Sequence, residues 1–247
     1  MVRLLKYLHL RELRMSIFDE VALSRVIDGI GSIAERTITK YLTRRPFKKV
    51  TGFGLGDHIY IVLPERPASE VPAQSPTLQG NVHVTFHDML AVNYAERCLV
   101  LSGVHDDDIS IFTVAREQAP DILVTEHLTL ICSPKANPYT RSAIDCLVKN
   151  FRDLQLSFEL ISPNPDRWKI KYNGADYISP SYSEADSLQA DGKSEAQGPL
   201  TDFGLLGRFQ SPWNPRAKIL LISGIRGIGT WGAARYLRDY APMLVKQ

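Results

Sequence analysis

Residues 218–237 read KILLISGIRGIGTWGAARYL, and this stretch indicates the fold more directly than any other. Lys218 to Ser223 contains an unbroken run of branched apolar residues, which is typical of a strand buried on both faces of a parallel sheet. A glycine-rich turn follows, and Thr230 to Tyr240 then has the pattern of a helix. A strand, a turn and a helix in this order form the repeating unit of α/β proteins.

The same alternation of strands and helices is found upstream. The predicted strands are His58–Leu63, Ile109–Thr113, His127–Ser133, Leu156–Ile161, Trp168–Tyr172 and Phe203–Phe209, and the predicted helices are His87–Ser102 and Thr140–Phe151. We therefore expect an α/β fold of three layers, a Rossmann-like and mostly parallel sheet with an antiparallel hairpin inserted between Leu156 and Phe209. Residues 179–200 are rich in Ser, Ala, Asp, Gly and Gln and predict a long flexible loop.

The first 50 residues differ in charge from the rest of the chain. They hold eleven lysines and arginines against five acidic residues, a net charge of +6, whereas the remaining residues sum to −4. Apolar residues at helical spacing predict an amphipathic helix from Asp19 to Thr43, which Pro46 is expected to end. We expect a basic helical extension, residues 1–50, followed by a Rossmann-like domain, residues 51–247.

This charge division also guides the expectations about partners. Residues 19–45 are the expected contact for a protein partner, for self-association or for a membrane surface. The acidic remainder of the chain argues against general nucleic-acid binding.

Composition excludes several protein classes. With 44% hydrophobic residues and balanced charges, the chain does not resemble a disordered protein. It has no apolar run long enough to span a membrane and no secretory signal in Met1 to Met15. Three cysteines are too few for a disulfide framework and favour a reducing compartment, so we expect a cytoplasmic protein.

The first candidate site is the loop SPKANPYT, residues 133–140, between a predicted strand and a predicted helix. Thr140 is the expected N-cap, and the free N–H groups of the helix start would bind an anion, with Lys135 adding a positive charge. The alternative is a rigid turn in which Asn137 hydrogen-bonds its own backbone. Under the first interpretation the ligand-binding residues are Ser133, Lys135, Asn137 and Thr140.

The second candidate site is the glycine-rich turn at residues 224–230. Glycines allow a backbone to approach a phosphate closely, and Thr230 would cap the helix. The predicted ligand-binding residues are Gly224, Arg226, Gly227, Gly229 and Thr230. The alternative is a tight turn that lets the helix pack closely on the sheet.

The turn is similar to the Gly-x-x-x-Gly-x-Gly loop of short-chain dehydrogenases, but only two residues separate Gly224 from Gly227. Since 18 residues follow Gly229, the chain has no room after it for the further elements of that family. We expect no nicotinamide or other cofactor.

Taken together, the two loops resemble a loosely characterised group of Rossmann-like domains. In these, a strand leads into Gly-Gly-Pro-x-x-Asn-Pro, and a C-terminal turn reads Gly-x-x-x-x-Gly-Thr-x-x-Ala. The matching residues here are Pro134, Asn137 and Pro138 in the first motif and Gly224, Gly229, Thr230 and Ala233 in the second. Cys132 and Ser133 stand in place of the two glycines. The resemblance covers residues 127–240 and implies the fold but no activity.

Other residues have side chains suited to catalysis or metal binding. Glu96 is the candidate catalytic residue, since a lone helical carboxylate beside a sheet serves as the acid in some Rossmann-like glycosidases; the alternative is a glutamate that faces solvent. His83 and His87, and His105 before Asp106–Asp108, have metal-binding residue types. The alternation around His83 predicts a strand, from which its imidazole and that of His87 need not converge, so we expect no metal site.

Three functions fit these observations. The first is a non-enzymatic sensor or adaptor module that binds a nucleotide or another phosphate-bearing small molecule between the two loops and signals through its N-terminal helix. The second is an interaction or scaffold protein. The third is a hydrolase similar to nucleotide or NAD glycosidases, with Glu96 and Thr230 at its site.

Overall fold

The computed structural model describes residues 2–6, 44–66, 77–78, 82–116, 125–151, 153–163, 165–183 and 201–245, and for 2–6, 77–78 and 82–83 only the backbone is described. The amphipathic helix predicted from Asp19 to Thr43 lies outside these residues, as does most of the predicted loop 179–200. No helix within the described ranges is both long enough and apolar enough to cross a membrane.

The described elements include eleven strands and three long helices. The strands are β1 Val2–Lys6, β2 Ile59–Pro64, β3 Thr77–Leu78, β4 Val82–His83, β5 Ile109–Val114, β6 His127–Ile131, β7 Leu156–Pro163, β8 Asp166–Tyr172, β9 Ala175–Ile178, β10 Phe203–Gln210 and β11 Lys218–Gly224. The helices are α1 Phe86–Ser102, α2 Pro138–Asn150 and α3 Gly227–Leu244, and residues 44–51 are also helical.

Six strands form a mostly parallel main sheet in the order β1-β10-β11-β6-β2-β5. The neighbours β11, β6, β2 and β5 are parallel, whereas β10 is antiparallel to both β11 and β1. The chain passes from β2 through α1 to β5 on one side of β2, and β6 then pairs with the other side. The strand order therefore reverses between β2 and β6, and in open α/β sheets ligands bind beyond the carboxyl ends of the strands at such a point.

Alternate residues of the central strands point to opposite faces of this sheet, and each face buries its own apolar cluster. One cluster combines β2, β6 and β11 residues such as Ile61 with the small side chains of α1 and α3. The other combines the alternate residues of the same strands, such as Val62, with α2 and with parts of β7 and β8. This arrangement explains why the sequence of the central strands is apolar without alternation.

A separate three-stranded antiparallel sheet, β7-β8-β9, follows α2. It confirms the hairpin predicted between Leu156 and Tyr172 and adds a third strand, β9, which was not predicted. The α/β class and the mostly parallel main sheet are also confirmed.

Several boundaries differ from prediction. Helix α2 begins at Pro138 with Asn137 as its N-cap, so the prediction of Thr140 as N-cap was wrong. Helix α3 begins at Gly227, which places Thr230 inside its first turn and not at its cap. Pro46 lies within helical residues 44–51 and does not end a helix. Residues 2–6, predicted as part of a helical extension, form β1 at the edge of the main sheet.

Asn137 connects the two strands at which the order reverses. Its side-chain amide donates to the carbonyl of Val62 at 3.1 Å and to that of Ile131 at 2.9 Å. Its Oδ1 accepts from the N–H groups of Tyr139 at 3.0 Å and Thr140 at 3.3 Å. This fully buried side chain thus joins the ends of β2 and β6 and caps α2, using every hydrogen bond it can make.

We predict that Asn137→Ala lowers the free energy of unfolding by about 3 kcal/mol, because it removes an N-cap and leaves two buried carbonyls without a hydrogen-bond donor. Urea denaturation measures this change. Asn150→Ala, an exposed substitution at the end of the same helix, is the control and is expected to change stability by less than about 0.5 kcal/mol. Equal stabilities of the two variants would refute the bridging role.

Candidate functional site

The glycine-rich turn packs tightly against the protein's own backbone. A Cβ at Gly224 would lie 2.3 Å from the nitrogen of Thr230, and one at Gly229 would lie 2.4 Å from the carbonyl oxygen of Phe203. At Gly227 the nearest contact of a Cβ would be 3.0 Å from the Cβ of His87. Gly224 and Gly229 are therefore required where α3 starts against β10 and β11. This agrees with the alternative interpretation of the turn, in which the glycines let the helix pack closely on the sheet.

A carboxylate of the protein itself lies at the start of α3. Asp202 Oδ2 accepts from the N–H of Arg226 at 2.8 Å and from that of Gly229 at 3.1 Å, while Oδ1 accepts from the N–H of Phe203 at 2.8 Å. Only 4% of Asp202 is exposed. Because a helix N-terminus attracts anions, Asp202 occupies the position that a phosphate would take in an open turn.

The other predicted residues of this turn point away from a shared ligand. Thr230 is fully buried, and its hydroxyl lies 3.4 Å from the carbonyl of Arg226. The guanidinium of Arg226 donates to Ser181 Oγ at 3.0 Å and lies above the ring of Tyr182. Arg226 thus links the turn to the segment that follows β9.

The loop at residues 133–140 is also rigid. The carbonyl of Ser133 accepts from the N–H groups of Ala136 at 3.1 Å and Asn137 at 3.0 Å, which makes a tight turn. Ser133, Asn137 and Thr140 are buried, and Asn137 hydrogen-bonds its own backbone as in the rigid-turn alternative. Among the predicted ligand-binding residues of this loop, Lys135 lines a cleft, where it forms an ion pair with Asp166.

This cleft lies between α2 and the small sheet and has a volume of about 590 Å³. We call it the basic cleft because Arg116, Lys135, Arg141 and Lys149 line it, against the single carboxylate of Asp145. Its apolar wall is formed by Ile144, Val148, Leu156, Phe158 and Trp168. Residues of the glycine-rich turn do not contribute to its lining.

The walls of the basic cleft are held in place by specific contacts. Arg141 donates from Nε to the carbonyl of Pro134 at 2.9 Å, which fixes the loop over the start of α2. Asp166 pairs with Lys135 and accepts from the indole N–H of Trp168 at 2.5 Å. Burial acts to raise the pKa of Asp166, but hydrogen bonds from Lys135 and Trp168 outweigh it and hold that pKa below its usual range.

A second cluster of polar side chains lies where β2 and β6 end. Arg66 Nη2 is 3.9 Å from Asp88 Oδ2 and donates to the Sγ of Cys132 at 3.6 Å. Asp88 is fully buried, and burial raises the pKa of its carboxyl. Burial also raises the pKa of the Cys132 thiol to about 12, so this cysteine is protonated at neutral pH.

Two other candidates lie apart from these clusters. Glu96 is a half-buried residue of α1, two helical turns beyond Asp88, and does not line the basic cleft. His105 lies 3.3 Å from Asp107 at the surface. Within the described ranges, His, Cys, Asp and Glu side chains form no group of three or more that could hold a metal ion.

Sequence reasoning missed most of the residues in the two clusters. Arg141, Ile144, Asp145, Val148 and Lys149 recur at three- and four-residue steps, which places them on one face of α2, and this spacing was a usable signal. Arg66 and Asp88 are separated by 22 positions and gave no local signal. Asp202 precedes a predicted strand and resembled an ordinary loop residue.

We predict that Gly229→Ala destabilises the protein by about 3 kcal/mol, because its Cβ would collide with the backbone at Phe203 and with Asp202. Gly207→Ala is the matched control, since a Cβ there meets only side-chain atoms at 3.6 Å or more. Denaturant unfolding of both variants checks the difference. A Gly229→Ala protein as stable as Gly207→Ala would show that the turn is open.

A second prediction concerns pH. Burial raises the pKa of Asp202 to about 6, so the folded protein takes up a proton at a pH where the unfolded chain, with an aspartate pKa of about 3.9, does not. The contribution of Asp202 to the free energy of unfolding therefore increases by about 1 kcal/mol as the pH falls from about 7.5 to about 5. Urea melts of the wild type and of Asp202→Asn at both pH values measure this change. The free energy of unfolding of the wild type should rise relative to that of the variant as the pH falls. Parallel pH profiles for the two proteins would contradict it.

No known family model, curated protein or solved structure matches this chain. The likeness of residues 127–240 to Rossmann-like domains therefore stays a prediction, and function has to be inferred from the site itself.

Proposed function

We propose that this protein is a ligand-binding module whose basic cleft holds a phosphate-bearing small molecule. The observation that carries the proposal is the charge of the cleft, which four cationic side chains line against the carboxylate of Asp145, with Asp166 paired to Lys135 at its wall, so that the cations remain in excess. Phosphate groups are bound by arginine and lysine through charge-assisted hydrogen bonds. The ligand class is the one expected from the sequence, but the phosphate would bind in the basic cleft. It would not bind at the glycine-rich turn, because Asp202 already accepts the hydrogen bonds of that turn.

The second support is the apolar wall of the same cleft. Phe158 and Trp168 from the small sheet face Ile144 and Val148 of α2 across it. Small-molecule sites combine apolar walls with a few polar groups that orient the ligand. A molecule with an anionic end and a planar or apolar end, such as a nucleotide, matches both walls.

The third support is the position of the cleft in the fold. Arg116 follows β5 and Lys135 follows β6, so both come from the carboxyl ends of parallel strands. We propose that the sheet and the elements on its two faces form a Rossmann-like three-layer arrangement, in which ligands bind at this edge. The output of the module is proposed to pass through residues 19–45, which lie in the first 50 residues, whose net charge of +6 suits a partner or a membrane surface.

Pyrophosphate is the probe for this function, with binding measured by isothermal titration calorimetry. The double variant Arg116→Gln, Lys149→Gln removes two exposed cations from the cleft and is expected to weaken binding about 10- to 100-fold. Raising the salt concentration should also weaken binding to the wild type, because exposed charges are screened.

The control is Arg97→Gln, Arg216→Gln, which removes the same charge at two exposed positions outside the cleft. It is expected to bind pyrophosphate as the wild type does. Absence of binding to the wild type, or equal weakening in both double variants, would overturn the proposal.

A further inference from the structure

The ion pair between Lys135 and Asp166 joins the two sides of the basic cleft. Lys135 belongs to the loop that leads into α2, whereas Asp166 is the first residue of β8, at the tip of the β7–β8 hairpin. The protein therefore places a carboxylate of its own against one of the cations that line the cleft. A phosphate ligand has to replace this carboxylate before it can use the charge of Lys135.

The carboxyl of Asp166 is ionised at neutral pH. Burial acts to raise its pKa, but hydrogen bonds from Lys135 and Trp168 and the nearby charge of Arg116 outweigh burial and hold that pKa below its usual range. Trp168, which donates its indole N–H to Asp166 at 2.5 Å, also lines the cleft. Asp166 is thus held by side chains that an anionic ligand of the cleft would itself meet.

Exposure distinguishes Asp166 from Asp202, the carboxylate at the glycine-rich turn. Asp202 is 4% exposed and accepts from three backbone N–H groups, so its removal would leave buried donors unpaired. The side chain of Asp166 is 46% exposed and that of Lys135 is 26% exposed. Ion pairs this accessible to water are weak, because solvent screens the two charges. A multiply charged anion can therefore displace Asp166, whereas Asp202 is fixed.

The hairpin has a tip that is separate from its base. A bulge interrupts the pairing of β7 with β8 between Leu160 and Ser162. On the tip side of this bulge, residues 163, 165 and 166 are exposed, whereas Ile170 on the base side is fully buried. Few apolar contacts therefore oppose a movement of the tip, and the base is held by the core.

Strand β8 is anchored directly behind the tip. The backbone N–H of Trp168 donates to the hydroxyl of Tyr182 at 2.8 Å. The guanidinium of Arg226 lies above the ring of Tyr182 and donates to Ser181 Oγ at 3.0 Å, so the anchor extends to the glycine-rich turn. Trp168 is therefore expected to stay in the wall of the cleft when the tip moves.

We propose that Asp166 is a built-in competitor for the ligand of the basic cleft. In the free protein its carboxylate neutralises Lys135. A bound phosphate group takes over Lys135, and the hairpin tip carries Asp166 away from this cation. Charge decides the exchange, because pyrophosphate brings several negative charges that also reach Arg116, whereas Asp166 brings one. The fraction of molecules in which Asp166 has released Lys135 then sets the apparent affinity.

This inference rests on the proposed function, since it describes how the affinity of the basic cleft for its ligand is regulated. Calorimetric titration with pyrophosphate tests it. Asp166→Asn removes the carboxylate charge but keeps an oxygen that can accept from the indole of Trp168. We expect this variant to bind pyrophosphate about 3- to 10-fold more tightly than the wild type does.

Asp176→Asn is the matched control. The side chain of Asp176 is 44% exposed and pairs with Lys169 at 2.7 Å, so the substitution removes the same charge and also breaks an ion pair of the small sheet. Asp176 does not line the basic cleft. This variant is expected to bind pyrophosphate as the wild type does.

Lys135→Gln provides a second background for the same substitution. Without Lys135, Asp166 has no cation for which to compete, so adding Asp166→Asn to Lys135→Gln should raise the affinity by less than about twofold. Simple repulsion between Asp166 and the ligand would instead raise the affinity by the same factor in both backgrounds. Thermal unfolding of all four variants checks that they are folded.

The outcomes separate the two proposals. Equal affinity of the wild type and Asp166→Asn for pyrophosphate would overturn the competition but not the binding of anions in the basic cleft. An increase that Asp176→Asn reproduces, or that is equally large in the Lys135→Gln background, would overturn it as well. Absence of pyrophosphate binding to the wild type would overturn the proposed function, and this inference with it.

Discussion

The hydrogen bonds of Asn137 are the constraint on which the arrangement of this edge of the sheet depends. One buried amide joins the carbonyl of Val62 in β2 to that of Ile131 at the end of β6, and the same side chain caps α2. Because the start of α2 is fixed in this way, Arg141 and Lys149 are presented along one face of the helix towards the small sheet. The basic cleft therefore depends on a residue that does not line it.

The glycine-rich turn illustrates how one sequence pattern serves two physical purposes. Glycines allow close approach of a backbone, whether the approaching group is a phosphate or another part of the chain. Here the approaching groups are the backbone of β10 and the carboxylate of Asp202. This carboxylate accepts hydrogen bonds from the N–H groups that would otherwise bind a phosphate. The interior of the protein thus supplies its own anion at the helix start.

Sequence reasoning predicted the parts of the structure whose signals are local. The central strands, α1 and its end at Gly103, and the hairpin β7–β8 follow from apolar runs, spacing and turn residues. Strand β1 was missed because its partner β10 lies about 200 positions away. Separation along the chain also hid one of the two side-chain clusters, because Arg66, Asp88 and Cys132 come together only through the topology of the sheet. The cationic face of α2, in contrast, was visible in its residue spacing.

The central claim is that an anionic ligand binds the basic cleft and not the glycine-rich turn. The most direct measurement is an NMR titration with pyrophosphate that follows backbone amide and arginine side-chain resonances. The account predicts shifts at Arg116, Lys135 and Lys149, with the amides of residues 224–230 unchanged because Asp202 already holds that turn. Shifts concentrated at residues 224–230, with the cleft resonances unmoved, would contradict it.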